Sequence, residues 1–167
     1  MTQLQQAMRE HGEYCLRVAY LYVKDWNAAE EIVQDVFYAY STQQNFQGAS
    51  SLKTYLVKIT VHKSQNYLRS WKAKKRQWFP SHEAEQVVAS IEQDILQKEQ
   101  KQQLVDLLFQ LPVKYREVLI LFYYDSYAIQ EIAGILSLNE NTVKTRLARA
   151  RALLKPVSYT HLRAHET

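Results

Sequence analysis

The sequence predicts an all-α protein: two small helical domains joined by a flexible linker, the C-terminal one ending in a helix-turn-helix. Three observations predict it. Glycine and proline number three each in 167 residues, too few for the turns of a β fold. Apolar residues recur at spacings of three and four over most of the chain, the period of a helix with one buried face. Residues 77–98 interrupt that period: Pro80, Ser81 and His82 break helix, and Gln, Glu and Ala follow. The expected domains are therefore 1–76 and 99–155, with 77–98 as the linker, holding short helical pieces such as 87–96.

A hydrophobic content of 47% suffices for a core. The net charge of +4 is modest but unevenly spread. Lys72, Lys74, Lys75 and Arg76 form one basic cluster, and the last helix forms another. Between them, residues 77–128 carry eight acids against four bases. Two basic patches around an acidic stretch point to two nucleic-acid contacts, or to two solvated faces. The single cysteine, Cys15, excludes an internal disulfide and reads as a small core residue. No signal peptide and no apolar run of about 18 residues is present. A cytoplasmic protein without membrane insertion is expected.

In chain order, residues 1–24 read as a helix after a frayed start, with Leu16, Ala19, Tyr20 and Val23 as its stripe. Residues 24–27 break it. A second helix over 28–41 turns Ala29, Ile32, Val33, Val36, Phe37 and Tyr40 to one side. Glu30, Glu31, Gln34 and Asp35 fall on the other, with the two glutamates in the first turn, where the helix dipole favours them. That acidic face serves either solubility or the docking of a basic partner. Residues 45–51 are a loop by composition, in which Ser50 or Ser51 can cap the next helix, over 52–71. Leu52, Leu56 and Ile59 form one apolar line there, and Val57, Val61 and Leu68 another. Between them His62, Asn66 and Arg69, at spacings of four and three, share a polar stripe that the bases from Lys72 extend. Phe46 before the stripe and Trp71 after it are either core plugs or faces on which unpaired bases stack. His62 has no Cys or His at ligand spacing, so no metal and no cofactor is expected.

The second domain starts with Leu104, Leu107, Leu108 and Leu111 in helical register, ended by Pro112. A helix over 113–124 follows, with Val118, Leu119, Phe122 and Tyr123 inward. Residues 127–155 then hold two apolar faces, Ile129, Ile132, Ala133 and Leu136, and Val143, Leu147, Ala150 and Leu154. Ser137-Leu138-Asn139 between them is a turn, and Asn139 a plausible N-cap. The last helix carries Lys144, Arg146, Arg149, Arg151 and Lys155 against one acid, Glu140. Such a helix suits a major groove. Asn141, Thr142 and Thr145 lie near its N-terminal end, where base edges are met, and Lys144, Arg146 and Arg149 reach phosphates or guanine. The alternative is a basic solvated surface. Residues 157–167 continue no periodicity and look like translated vector or adapter sequence, so the helix is expected to end near Lys155.

Three blocks resemble the extracytoplasmic-function group of bacterial sigma factors. The first runs from Asp25 through Ala29-Glu30-Glu31-Ile32-Val33-Gln34-Asp35 to Phe37. The second is Phe46-Gln47-Gly48-Ala49-Ser50-Ser51-Leu52-Lys53-Thr54-Tyr55-Leu56. The third joins Leu111-Pro112 and Arg116-Glu117-Val118-Leu119 to Thr142-Val143-Lys144-Thr145-Arg146-Leu147-Ala148-Arg149-Ala150-Arg151. Their order and spacing across two domains make the resemblance specific. It implies a subunit without catalytic chemistry that binds core RNA polymerase and directs transcription initiation at promoters.

The resemblance also implies roles. Glu30, Glu31, Gln34 and Asp35 would dock on the clamp helices of the polymerase β′ subunit. The loop with Phe46 and Ser50 would capture a flipped base of the minus-ten element, with His62, Asn66, Arg69 and Lys72 along the adjoining DNA. Asn141, Thr142, Lys144, Thr145, Arg146 and Arg149 would read the minus-thirty-five element, and the same domain would touch the β flap. An anti-sigma protein is the expected regulator. The family often has Asn at His62, whose protonation near neutral pH would add a phosphate contact. It often has Gly at Ser137, where a left-handed serine would cost about 1 kcal/mol. A dimeric helix-turn-helix repressor would lack the acidic helix, and a nuclease would need paired carboxylates or a metal cluster, which this sequence does not offer.

Overall fold

A computed structural model describes residues 1–42, 48, 50–74 and 98–166, with side chains described up to residue 70 and over 103–154. The chain divides into two compact units, Met1–Ala84 and Glu85–Thr167. The expected linker lies almost wholly outside the described residues, as do Phe46 and the side chains of Trp71 and Lys72.

The N-terminal unit packs three helices on one another: α1 (Gln3–Val23), α2 (Trp26–Thr42) and α3 (Leu52–Lys74). The start of α1 is capped rather than frayed. Gln5 N–H donates to the Thr2 hydroxyl and Thr2 N–H donates back to Gln5 Oε1, a reciprocal box that the expectation overlooked. Lys24, at φ 58°, ends α1 in the left-handed region. Asp25 then caps α2, accepting from Asn27 and Ala28 N–H at 3.0 and 3.3 Å. This cap moves the start of α2 back to Trp26, so Glu30 and Glu31 lie beyond the first turn, which holds no acid. Their expected benefit from the dipole falls instead to Asp25.

The core of this unit is Cys15, Val18, Ala19, Tyr20, Tyr22, Ala29, Val36 and Phe37 against Leu56, Val57 and Val61, all buried. Burial raises the Cys15 thiol pKa, which suits a packing role. On α3 the buried face is narrower than two apolar lines imply. Leu52, Ile59 and Leu68 are half-buried, and Thr60 and Ser64 are buried between the others. Thr60 resolves its burial by donating to Leu56 C=O, 2.7 Å away. Ser51, rather than Ser50, caps α3, accepting from Thr54 N–H at 3.1 Å.

The C-terminal unit comprises α4 (Lys98–Gln110), α5 (Val113–Leu119), a π-helical turn (Ile120–Tyr124), α6 (Ile129–Leu136) and α7 (Glu140–Glu166). Helices α5 and α6 both pack on α7. Leu104, Leu107 and Leu108 are half-buried, and Leu111 is the buried leucine of that series. The expected single helix over 113–124 is interrupted by the π turn. Its wider loop shifts the register, so Val118, Leu119, Ile120 and Leu121 face inward. Phe122 is half-buried, and Tyr123 and Tyr124 are exposed, which corrects the inward placement of Tyr123.

The helix-turn-helix follows its period closely. Ile132, Ala133 and Leu136 of α6, joined by Ile135, face Val143, Leu147, Ala150 and Leu154 of α7, all buried. Ser137 takes φ 56° and ψ 45° at the turn, the left-handed geometry for which glycine is the easier residue. Helix α7 does not stop at Lys155. It continues to Glu166, across Pro156, whose missing N–H leaves Ala152 C=O without its helical donor. Among the described residues, no helix is long and apolar enough to cross a membrane.

Candidate nucleic-acid interface

The start of α7 is fixed by Asn139, whose Oδ1 accepts from Thr142 N–H at 2.7 Å. The cap leaves the positive end of the helix dipole facing outward at Asn141. Around that end lies an open groove of about 410 Å³, lined by Asn139, Asn141, Thr142, Thr145, Arg146 and Arg149 of the helix-turn-helix and by Lys114 and Tyr115 of α5. Five of the six residues expected to read duplex DNA therefore share one concave surface. Lys144 is exposed on α7 but outside that lining.

Tyr115 and Lys114 were not legible as site residues. Tyr115 is half-buried, and its interaction with the Arg149 guanidinium lowers the phenol's pKa, with Lys114 adding to the effect. The Lys114 ammonium lies 5.1 Å from the Tyr115 ring centre. Arg146 meets Glu117, a buried carboxylate, at 4.0 Å. Thr145 donates its hydroxyl to Asn141 C=O at 2.9 Å and keeps its lone pairs for an incoming donor. Arg151 leaves the basic face: its Nε donates to the Tyr123 hydroxyl at 2.8 Å and its guanidinium stacks near Phe122 and Tyr123.

In the N-terminal unit, His62, Asn66 and Arg69 are all exposed along α3, on one stripe. Arg69 donates to Asn66 Oδ1 at 2.6 Å. Desolvation, then Lys58 and Arg69, lower the His62 pKa below 6.5. The ring is therefore harder to protonate near pH 7 than a free imidazole, which weighs against the expected phosphate contact at that pH. Ser50 is exposed, its hydroxyl donating to Ser51 C=O at 3.4 Å. On α2, Glu30, Glu31, Gln34 and Asp35 are all exposed on one side. Phe46 and the Lys72 side chain lie outside the described residues.

Residues 7–74 match the family Sigma-70 region 2, and residues 101–154 match Sigma-70, region 4. The chain is 29% identical over 147 residues to the RNA polymerase sigma factor SigV of Bacillus subtilis, covering 87% of this chain and 85% of that protein. It is 29% identical over 140 residues to the ECF RNA polymerase sigma factor SigX of the same organism, covering 80% and 72%. Among solved structures, the sigma factor RpoE in complex with the anti-sigma factor NepR from Bartonella quintana aligns with a TM-score of 0.73 at 22% identity, over 93% of this chain and 96% of RpoE. That structural likeness supports the all-α, two-unit architecture. With both regions matched in order, the chain belongs to the extracytoplasmic-function group of the sigma-70 family.

Proposed function

We propose that this chain directs core RNA polymerase to its promoters, reading the minus-thirty-five element as duplex with α7 and capturing melted minus-ten DNA at the loop before α3. Membership of the family carries the first clause. The observation that best supports the second is the groove at the start of α7, where hydrogen-bonding side chains and two arginines converge on a helix N-terminus. Arginine pairs with guanine O6 and N7, asparagine with adenine N6 and N7, and the threonines suit smaller edges. The polymerase makes the phosphodiester bonds, and the role assigned to this chain needs no catalytic group, metal or cofactor.

The minus-ten role is assigned to Phe46 and Ser50 with His62, Asn66, Arg69 and Lys72. One base stacked on an aromatic returns about 1–3 kcal/mol, comparable to the loss of a stacked step. Docking on the β′ clamp helices is assigned to Glu30, Glu31, Gln34 and Asp35, whose shared exposure supports it. Contact with the β flap falls to the C-terminal unit, where Tyr123, Tyr124 and Leu153 are exposed. The partner in the RpoE structure suggests that an anti-sigma protein restrains this chain as well, in the cytoplasm where polymerase acts.

The test is a pull-down of core RNA polymerase by the full chain beside Glu30→Lys/Asp35→Lys. Retention by wild type and loss in the double variant is the expected result. A folded wild type that retains no polymerase would sink the proposal and favour an autonomous dimeric regulator.

A further inference from the structure

Helix α5 contributes more to the groove than a wall. Its side chains reach both arginines of α7 that the groove exposes. Tyr115 and Arg149 line the groove together, close enough for the guanidinium to lower the phenol's pKa, and Glu117 lies 4.0 Å from Arg146. Tyr115 is half-buried and Glu117 is buried, so neither anchor is a long solvated chain free to follow its partner. Arginine has substantial rotamer entropy to lose on immobilisation. A guanidinium already directed by a rigid partner loses less of it on binding and presents its planar fork at a defined angle. Lys114, 5.1 Å from the Tyr115 ring centre, stands exposed at the groove.

We propose that α5 positions the reading arginines, Tyr115 directing Arg149 and Glu117 directing Arg146, and that Lys114 adds a contact to a backbone phosphate. The inference rests on the duplex-reading role given to α7. Tyr115 and Glu117 are positioning residues: they set where a base is read and touch no base themselves. Lys114 differs in kind. A phosphate contact strengthens binding to all sequences alike and contributes to the salt dependence.

The experiment uses the full chain bound to core RNA polymerase. Wild-type holoenzyme selects a duplex from a random-sequence pool, and the same duplex with its enriched upstream positions scrambled serves as the reference. Tyr115→Phe removes one hydroxyl and keeps the ring. It is expected to lower the ratio of selected to scrambled affinity about fivefold to tenfold, with no change in the slope of log affinity against log salt. In an Arg149→Ala background the same substitution should change the ratio less than twofold, because the group it positions is gone. Lys114→Gln should lower both affinities together and reduce the salt slope by about 1.

A wild-type ratio in Tyr115→Phe overturns the positioning role, and so does an undiminished effect in the Arg149→Ala background, which would make Tyr115 a contact in its own right. An unchanged salt slope in Lys114→Gln overturns the phosphate contact. A wild-type holoenzyme that enriches no upstream sequence overturns the duplex-reading role itself, and the dependent inference with it. Circular dichroism of each variant separates these results from unfolding.

Discussion

In the C-terminal unit the arginines of the groove are met from a different helix, Arg149 by Tyr115 and Arg146 by Glu117. In the N-terminal unit Arg69 is met from its own helix, by Asn66 one turn back. A cross-helix contact fixes a side chain relative to the whole unit. A contact within one helix fixes it only relative to its neighbour. The first arrangement suits a rigid duplex, whose base edges are always in the same place. The second suits a strand whose bases must first leave their stack, since the protein surface need only follow the backbone. The groove also presents a helix N-terminus, whereas the stripe runs along the side of α3. Similar residue types therefore serve two kinds of recognition, according to what holds them.

The strongest way to break this contrast is to loosen the packing beneath one face. Leu147 is 2% exposed, in the seam between α6 and α7. Leu147→Ala should cost about 3 kcal/mol, seen as faster hydrogen exchange of α6 and α7 amides. Upstream duplex binding should be lost while polymerase is still retained through α2. Retained upstream binding with accelerated exchange would show that the groove does not depend on rigid support.

Charge removal gives a finer test. Arg149→Ala and Arg69→Ala each delete one exposed cation. Arg149→Ala should cost about 1–3 kcal/mol of discrimination at one upstream position. Arg69→Ala should weaken single-stranded minus-ten DNA uniformly across sequences and lower its salt slope by about 1. If Arg69→Ala changes base preference instead, the stripe reads sequence as the groove does and the contrast is lost.

The pH dependence of the two units should also differ in sign. Asp125 lies between the π turn and α6, and its carboxylate oxygens are buried without a hydrogen-bond partner. Desolvation raises its pKa to about 8. The folded protein keeps this proton through neutral pH, while the unfolded chain releases it near the ordinary carboxyl value of about 4. The C-terminal unit therefore loses stability as pH rises from about 4 to 8. Asp125→Asn should remove that slope and stabilise the unit by about 1–3 kcal/mol at pH 8.5, read from hydrogen exchange of α6. An equal slope in the variant would place the titrating group elsewhere.

What the sequence disclosed follows the same physical division. The faces of α6 and α7 were legible because helical period and burial agree at Ile132, Val143, Leu147 and Ala150. Asn139 was legible because a cap acts within one turn of itself. The π turn was not, since one extra residue in a helical loop leaves composition and hydropathy unchanged. It turned Tyr123 outward and Ile120 and Leu121 inward and left Phe122 half-buried. Lys114 and Tyr115 were missed for another reason. The groove they share with Arg149 joins α5 to α7, and local spacing carries no signal for contacts between helices. Thr60 and Ser64 read as polar, and only packing reveals that they are buried.

The smallest expected effect lies at His62, where binding and stability should move in opposite directions. Desolvation, then Lys58 and Arg69 on its own helix, lower its pKa from the ordinary imidazole value. Near pH 7.5 the ring is neutral, and His62→Asn should bind single-stranded minus-ten DNA as wild type does. As pH falls through its lowered pKa the ring gains a proton, and wild type should gain affinity that the asparagine variant lacks. Over the same interval the unfolded chain takes up that proton more readily than the folded one, so the N-terminal unit loses stability as pH falls. Bound phosphate reverses the local balance by favouring the charged ring, so binding should take up a proton in this range. Fluorescence anisotropy across pH 5.5–8 checks the affinity, and hydrogen exchange of α3 checks the stability. Matching pH profiles for wild type and His62→Asn in both would remove His62 from the strand-binding stripe and leave Asn66 and Arg69 to hold it.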